Sequence, residues 1–392
     1  MISAQQALEI VNQNCKSNSS SVTVNLRDAL GFVLFSDIKS PINMPPFRQS
    51  AMDGYALNMN AKGKYKIIGE IKAGDPYNPE LKSGEAVRIY TGAAVPDSAN
   101  TVVIQERVKT HGDELELNDI ASLGDNIRPL GEQVTQNQVA LKKGTNLTAA
   151  GIGFLTTLGI TTVSVYKKPS IAIICTGSEL VKAGNPLSHG RIYESNTIML
   201  ETALNSLGFI CSKSYDVKDN YNDTYNVLDL AINSYDLVLI TGGISVGDYD
   251  FVGKALNNLG VNQLFYKVNQ KPGKPLFYGQ KGGTTVFALP GNPAAALSCC
   301  YIYVQTALQL LSGNESYKPT FIKKKSTSEF LKKGDRAQFL KAIIVDDSVS
   351  ILEGQSSAML QTFALANALV FLPEDNSVIK VGDFLDVMQL PI

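Results

Sequence analysis

Histidine is almost missing from this chain. His111 and His189 are the only two among 392 residues and lie far apart, so a histidine-based zinc site or a Ser-His-Asp triad has little to draw on. Cysteine is sparse and unpatterned. Cys15, Cys175, Cys211, Cys299 and Cys300 form no CxxC and no framework spacing, which argues against a zinc ribbon or a disulfide scaffold. Cys175 falls inside the apolar run IAIIC and the adjacent Cys299-Cys300 pair inside an apolar stretch; both read as reduced, packed thiols. A basic excess is lacking too: the formal net charge is −1, so nothing in the charge balance implies a nucleic-acid partner. The opening MISAQQALEI has no basic region followed by an apolar one, so it is not a secretory signal and a cytoplasmic location is expected. The longest apolar stretch, residues 294–311, is interrupted by Ser298, Gln305, Thr306 and Gln309, which predicts a buried helix rather than a membrane span.

Enough apolar residue remains to build a substantial core. The chain is 44% hydrophobic and 18% charged, an ordinary globular composition, and its length suits about two to four domains. Ser3-Ala4-Gln5-Gln6 has the form of a capping box ahead of Ala7, Leu8, Ile10 and Val11 at helical spacing, which predicts a helix over 3–15. Val22, Val24 and Leu26 alternate as in a strand, and PINMPPFRQSAMDGY then breaks the pattern with three prolines, marking an extended crossing and a domain boundary. Between about 55 and 140, KYKIIGEI, EAVRIY, TVVIQERV and DELELN are separated by turn sequences and predict an antiparallel β-rich module. Thr148 can cap a helix running to 158, and ITTVSVY can form a strand. This return to mixed character places an inserted β domain, 44–139, inside a discontinuous domain made of 1–43 and 140–168. From 169 to 315, IAIIC, FICSKSYDV, DLVLI and TTVFAL alternate with helical segments starting near 196, 223, 250 and 293; this predicts a parallel three-layer α/β domain. KKKSTSEFLKKG reads as a solvated linker and turn, and FLKAIIV, SVSILEG, ALVFLP and DFLDVMQL as a small C-terminal β-barrel or sandwich over 316–392. No tandem repeat or low-complexity tract is visible.

Ligands on parallel sheets bind beyond the C-terminal strand ends. Those ends are Thr176-Gly177-Ser178-Glu179, Asp216 to Asp219, Thr241-Gly242-Gly243 and Leu289-Pro290-Gly291-Asn292, and all four are expected at one crevice. A nucleotide-binding P-loop does not fit: near Gly247 to Lys254, Val252 stands where the second glycine belongs and Ala255 where Ser or Thr belongs. A dinucleotide fingerprint at Gly151 and Gly153 also fails, because Thr156 replaces the third glycine and no strand directly precedes it. What remains is Asp248 and Asp250, then Lys267, Lys271 and Lys274 around a Pro-Gly turn, then an uncharged helix start at Asn292-Pro293. Taken singly, each has a bland reading: the lysines as solvated loop residues, Asp250 and Asp219 as helix caps, Glu179 and Asp53 as turn residues. Together, carboxylates, lysines and glycines at one crevice suit a phosphate-bearing ligand with a divalent metal.

PPFRQSAMDGYA, RIYTGAAVP followed by VVIQE, LGEQV, TGSEL, GRIYESN, TGGISVGDYD, KPGKP and LPGNP occur in this order across essentially the whole chain. As a set they resemble the molybdopterin molybdenumtransferases, the bacterial relatives of the gephyrin E domain. The resemblance implies a four-part, elongated subunit in a homodimer, with an α/β domain similar to the molybdopterin adenylyltransferase fold. It implies a reaction in which adenylylated molybdopterin and molybdate are the substrates, magnesium assists, molybdenum ends on the dithiolene and AMP leaves. A molybdopterin adenylyltransferase would act upstream. Neither nucleic acid nor membrane is an expected partner.

By the same resemblance, Glu179, Asp219 and Asp250 would hold magnesium or position the nucleotide, and Lys267 and Lys271 would neutralise the diphosphate. Lys274 with Pro275, Arg336 and Ser357 would take molybdate, a guanidinium suiting a tetrahedral oxyanion. Gly242, Gly243, Ser245 and Asn292 would contribute to substrate binding. Asp53 and Thr91 would approach the α/β crevice across a subunit boundary. The family usually has Asp where Gln133 stands and often Ser where Ala295 stands. Alternative readings are the adenylyltransferase itself or a non-catalytic dimeric scaffold.

Overall fold

The computed structural model describes residues 1–17, 20–59, 63–244 and 251–391. The chain divides into two compact units. One is Thr23–Leu30 with Leu34–Val165, and the other is Met1–Val22 with Gly31–Val33 and Tyr166–Ile392.

The first unit is built on a six-stranded sheet in the order Thr101–Ile104, Gly54–Leu57, Glu85–Ile89, Lys64–Ile71, Glu114–Leu117, Val108–His111. Four of its five pairings are antiparallel, as expected, but Lys64–Ile71 runs parallel to Glu85–Ile89. The chain between those two strands is long enough to cross over, and local sequence does not reveal which way a returning strand will point. Alternate residues bury on opposite faces: Ala56, Ile71, Val87 and Val102 on one, and Leu57, Tyr65, Ala86 and Leu115 on the other. Outside this sheet, Ile38–Lys39 pairs with Val139–Leu141, and Thr148 caps the helix Ala149–Thr157 through its side chain.

The second unit begins with α1, Ala4–Asn14, whose Ser3–Gln6 capping box forms as predicted. Its Ala4, Ala7 and Val11 bury into the α/β core. That core surrounds a sheet of β1 (Ile171–Thr176), β2 (Cys211–Val217), β3 (Leu237–Thr241), β4 (Asn262–Tyr266), β6 (Phe277–Lys281) and β7 (Thr284–Leu289), with β5 (Gln270–Lys271) leaving it for a different sheet. The order is β2-β1-β3-β7-β6-β4. The first four strands are parallel, as the apolar runs predict. Two further strands extend it through antiparallel pairings, so β6 alone runs against the other five. The cause is local: β6 and β7 are joined by Gly282 and Gly283 alone, both at positive φ, and a two-residue turn of that kind joins only antiparallel strands.

Strand alternation sorts the core into layers. Ile171 and Ile173 face α1, α2 (Asn196–Ser206) and the long helix after residue 292, while Ala172 and Ile174 face α3 (Tyr221–Ser234) and α4 (Phe251–Asn258). The long helix comprises α5 (Pro293–Cys299), a wider π turn at Cys300–Val304, and α6 (Gln305–Leu311). By length and composition it could cross a membrane, yet most of it is buried in this core.

The C-terminal barrel closes in the order β9-β10-β8-β12-β11-β9, from β8 (Ile322–Ser326), β9 (Ala337–Val345), β10 (Ser348–Ile351), β11 (Ala368–Leu372) and β12 (Phe384–Gln389). The KKKS segment, expected as a linker, is therefore a barrel strand. Its inward positions include Lys324 and Ser326, which hides the alternation. Short β5 extends this sheet by pairing in parallel with β9, Gln270 beside Ala337 and Lys271 beside Gln338. Phe339, Leu369 and Met388 on the outside of the barrel join the α/β core, so one apolar cluster runs through both.

Candidate functional site

A cleft of about 530 Å³ opens where β1, β3 and β7 end. Thr176, Thr241-Gly242 and Pro290-Gly291-Asn292 form its floor, and the Lys271–Pro275 loop, Arg336 and Ser357 form one wall. Glu179, Leu180 and Ile192 to Asn196 form the opposite side. Three of the four predicted strand ends thus meet here. The fourth does not: Asp216, Val217 and Lys218 at the end of β2 line a smaller neighbouring cleft of about 220 Å³. β2 is the edge strand of the sheet, so its end is set off to the side.

The floor is shaped by close backbone packing. Gly242 has φ +87°, and a Cβ there would lie 2.2 Å from the Thr176 carbonyl oxygen. Only glycine fits that approach between neighbouring strand ends. Gly243 lies behind it, against Thr176 and Val252 rather than on the cleft wall. Asn196 ties the floor together, its Nδ2 donating to Thr241 Oγ1 at 2.7 Å and to the Gly291 carbonyl at 2.8 Å.

Four of the predicted anion-binding side chains, Lys271, Lys274, Arg336 and Ser357, converge on the wall together with Pro275. None of the three cations has a carboxylate within ion-pair distance among the described residues. Arg336 Nη1 donates to the Gln270 carbonyl at 3.4 Å. Asn292 Nδ2 donates to Ser357 Oγ at 2.9 Å, linking the α5 start to the barrel loop. Ala295, almost fully buried, also reaches the cleft. Ser298 does not stand in for a hydroxyl there, because its Oγ is turned back to the Ala294 carbonyl at 2.8 Å.

The other expected residues lie elsewhere. Lys267 is off the wall, with its ammonium 4.8 Å from the centre of the Tyr266 ring. Asp219 is neither the cap of α3, a role taken by Asn220, nor a wall residue. It holds the Thr176–Glu179 turn, accepting from the Ser178 N–H at 2.7 Å while its own N–H donates to Ser178 Oγ at 3.1 Å. Ser245 and Asp250 lie outside the described residues. Among the described residues, no group of three or more His, Cys, Asp or Glu side chains is placed to hold a metal ion. In the β-rich unit, Asp53 Oδ1 accepts from the Thr91 N–H at 2.8 Å and from the Thr91 hydroxyl at 2.7 Å. These bonds hold its carboxyl below the usual range. Gln133, in the same unit, has an exposed side chain.

Sequence reasoning missed Glu194 and Asn196, both inside GRIYESN. Glu194 accepts from the Thr197 N–H at 2.9 Å, the bond of a helix cap, and its other neighbour is the Cys175 thiol at 3.5 Å. Burial pushes that thiol far up, and the Glu194 charge adds to the shift. A carboxylate just before a helical run was the readable signal.

A doubly covered α/β sheet fused to a small barrel, with cations from both that have no ion-pair partner among the described residues converging at the strand ends, defines a binder of a multiply charged, oxyanion-bearing ligand. Residues 2–159 match the family described as MoeA N-terminal region (domain I and II), 172–310 the probable molybdopterin binding domain, and 323–390 the MoeA C-terminal region (domain IV). A molybdopterin molybdenumtransferase of Haemophilus influenzae is 31% identical over 99% of this chain and 98% of its own length. One from Staphylococcus aureus (strain MSSA476) is 31% identical over 99% and 95%. The crystal structure of a molybdopterin biosynthesis MoeA protein from Pyrococcus horikoshii OT3 matches with a TM-score of 0.86 at 29% identity, covering 99% of this chain and all of that one. The chain belongs to the molybdopterin molybdenumtransferase family.

Proposed function

We propose that this transferase of molybdenum cofactor biosynthesis inserts molybdate into adenylylated molybdopterin with magnesium and releases AMP. The observation that carries the reading is the convergence of Lys271, Lys274, Arg336 and Ser357, from an α/β loop and a barrel, on one cleft. Lys274, Arg336 and Ser357 offer charge and directed donors to a tetrahedral oxyanion. Lys271 stands next to them and would neutralise the phosphoanhydride whose cleavage lets AMP leave. Lys267, off the wall, has no direct contact in this reading. Magnesium needs only one or two protein carboxylates beside substrate phosphates. Glu179 on the cleft wall fits that demand, and Asp219, which keeps an oxygen beyond its bond to Ser178, is the second candidate. The ion would supply charge neutralisation at the departing phosphate.

Two of the four oxyanion-facing side chains come from the barrel, a part that an adenylyltransferase confined to the α/β domain would lack. The substrate is a nucleotide-activated pterin, so an adenylyl-transfer reaction must supply it. The five free cysteines suit a reducing cytoplasm, and we place the protein there as a homodimer. The test is to mix the purified protein with adenylylated molybdopterin, magnesium and molybdate and to follow AMP. Molybdate-dependent AMP release that stops on magnesium chelation is expected. Release that ignores molybdate would refute the proposal.

A further inference from the structure

Beneath the cationic wall lies a buried polar pair that no binding role has used. Gln270 and Tyr303 are both fully buried. The Tyr303 hydroxyl donates to Gln270 Oε1, and Gln270 Nε2 donates to the Pro272 carbonyl at 3.0 Å and lies 3.7 Å from Cys299 Sγ. Because a carbonyl only accepts, the amide must turn its NH₂ to Pro272, and its oxygen then has to face a donor. Tyr303 is that donor. Burial raises its pKa far above the ordinary value, so it stays protonated. It sits in the π turn of the long helix, a widening that re-aims side chains relative to an α-helix.

Gln270 is tied to both segments that carry the wall cations. Its side chain anchors the Lys271–Lys274 loop through Pro272. Gly273 in that loop is seated directly on the anchor: a Cβ there would lie 2.5 Å from Cys299 Sγ and 2.8 Å from Gln270 Nε2. Its main-chain carbonyl accepts from the Arg336 guanidinium, and its strand pairing with Ala337 fixes the residue next to Arg336. Lys271, Lys274 and Arg336 come from two segments more than sixty positions apart in sequence, yet both segments are tied to Gln270, one through its side chain and the other through its main chain.

We infer that Gln270, oriented by Tyr303, is a positioning residue that sets the spacing of the three cations for a tetrahedral oxyanion. This rests on the proposed function, in which that wall takes molybdate. Displacements of about an ångström at a preorganised site cost ten- to a hundredfold in performance.

Two variants separate positioning from mere stability. Tyr303→Phe keeps the ring but strands Gln270 Oε1 in the core, which lowers the melting temperature. Adding Gln270→Met removes the stranded amide as well. Replacing both partners of a buried hydrogen bond by apolar groups restores much of the stability, but it leaves Pro272 without its anchor. The double variant is expected to melt between Tyr303→Phe and the parent, because the Pro272 carbonyl still lacks its donor, yet to show a KM for molybdate raised about tenfold over both, with kcat at saturating molybdate within about twofold. Calorimetric binding of molybdate alone to the full chain gives the same comparison without turnover. Equal molybdate binding by the parent and the double variant would overturn this inference alone. No molybdate binding by the parent would overturn the proposed function and this inference with it.

Discussion

Lys341 offers the sharpest test of how the barrel side of the cleft is held. It is 3% exposed, and its ammonium donates to the carbonyls of Gly354 at 2.8 Å, Ser356 at 3.1 Å and Met359 at 3.1 Å. A buried ammonium persists only where its donors are met. Here the three acceptors come from one loop, and that loop carries Ser357. Gln355 reinforces the junction, its amide exchanging bonds with the Lys341 backbone at 2.9 Å each way. Lys341→Met keeps the length and apolar stem but removes all three donors. At a net of about 1 kcal/mol per bond, and with the half-exposed loop able to recruit water, the loss is about 2–4 kcal/mol. At about 2–4 °C per kcal/mol for a unit of this size, the melting midpoint should fall by about 4–16 °C. Calorimetry on the full chain reads the stability. Molybdate titration of AMP release should show a raised KM, because Ser357 loses its support. A variant melting within about 1 °C of the parent would refute the account, since losing three hydrogen bonds from a buried ammonium costs more than that.

Two further expectations concern other regions. Gly242→Ala should destabilise the α/β core by at least about 2 kcal/mol in urea unfolding, because positive φ and a clash with a backbone carbonyl combine, whereas Gly153→Ala, with open space around its Cβ position in an exposed helix, should stabilise by about 0.5–1 kcal/mol. Asp53 should titrate by NMR below the ordinary value of 3.8, and Thr91→Val should move it back up part of the way, because the Thr91 N–H remains. A depressed acid contributes stability above its unfolded pKa and loses it as pH falls through the folded one, so the share of the parent's advantage over Thr91→Val that comes from the Asp53 charge should be full above the usual carboxylate range and should disappear as pH falls below it.

Legibility in the sequence followed how local each cause was. The Ser3–Gln6 capping box and the runs IAIIC, DLVLI and TTVFAL are determined within a few residues, and the helix and strands form where those signals stand. The resemblance carried Lys271, Lys274, Arg336 and Ser357 to positions that the fold brings together. β4 and β6 are short, mixed polar and apolar segments on either side of a lysine-rich loop, so their alternation is weak, and only Gly282-Gly283 marks a hairpin there. β8 was hidden by lysines at an inward position. Lys267 and Lys271 look alike in sequence, but one follows β4 with its ammonium over Tyr266 and the other belongs to the barrel sheet. Partners far along the chain decide the rest. Nothing near Asp219 announces Ser178, nothing near Gln270 announces Tyr303, and Lys341 reads as an ordinary surface residue until three distant carbonyls are placed around it.

The pairing of β5 with β9 also has a meaning in time. Chains are synthesised at about 5–20 residues per second, and the N-terminal parts of a protein fold first. When Leu311 emerges, the floor of the cleft and the Lys271–Lys274 loop have been made, but Ala337, Gln338, Arg336 and Ser357 have not. For the seconds needed to make the barrel, the short strand Gln270–Lys271 has no partner, and Lys271 and Lys274 have no third cation beside them. During that interval the strand ends of the α/β sheet have been made but the barrel side of the cleft has not. The three cations and the hydroxyl of the wall are all present only once the chain has been made past Ser357.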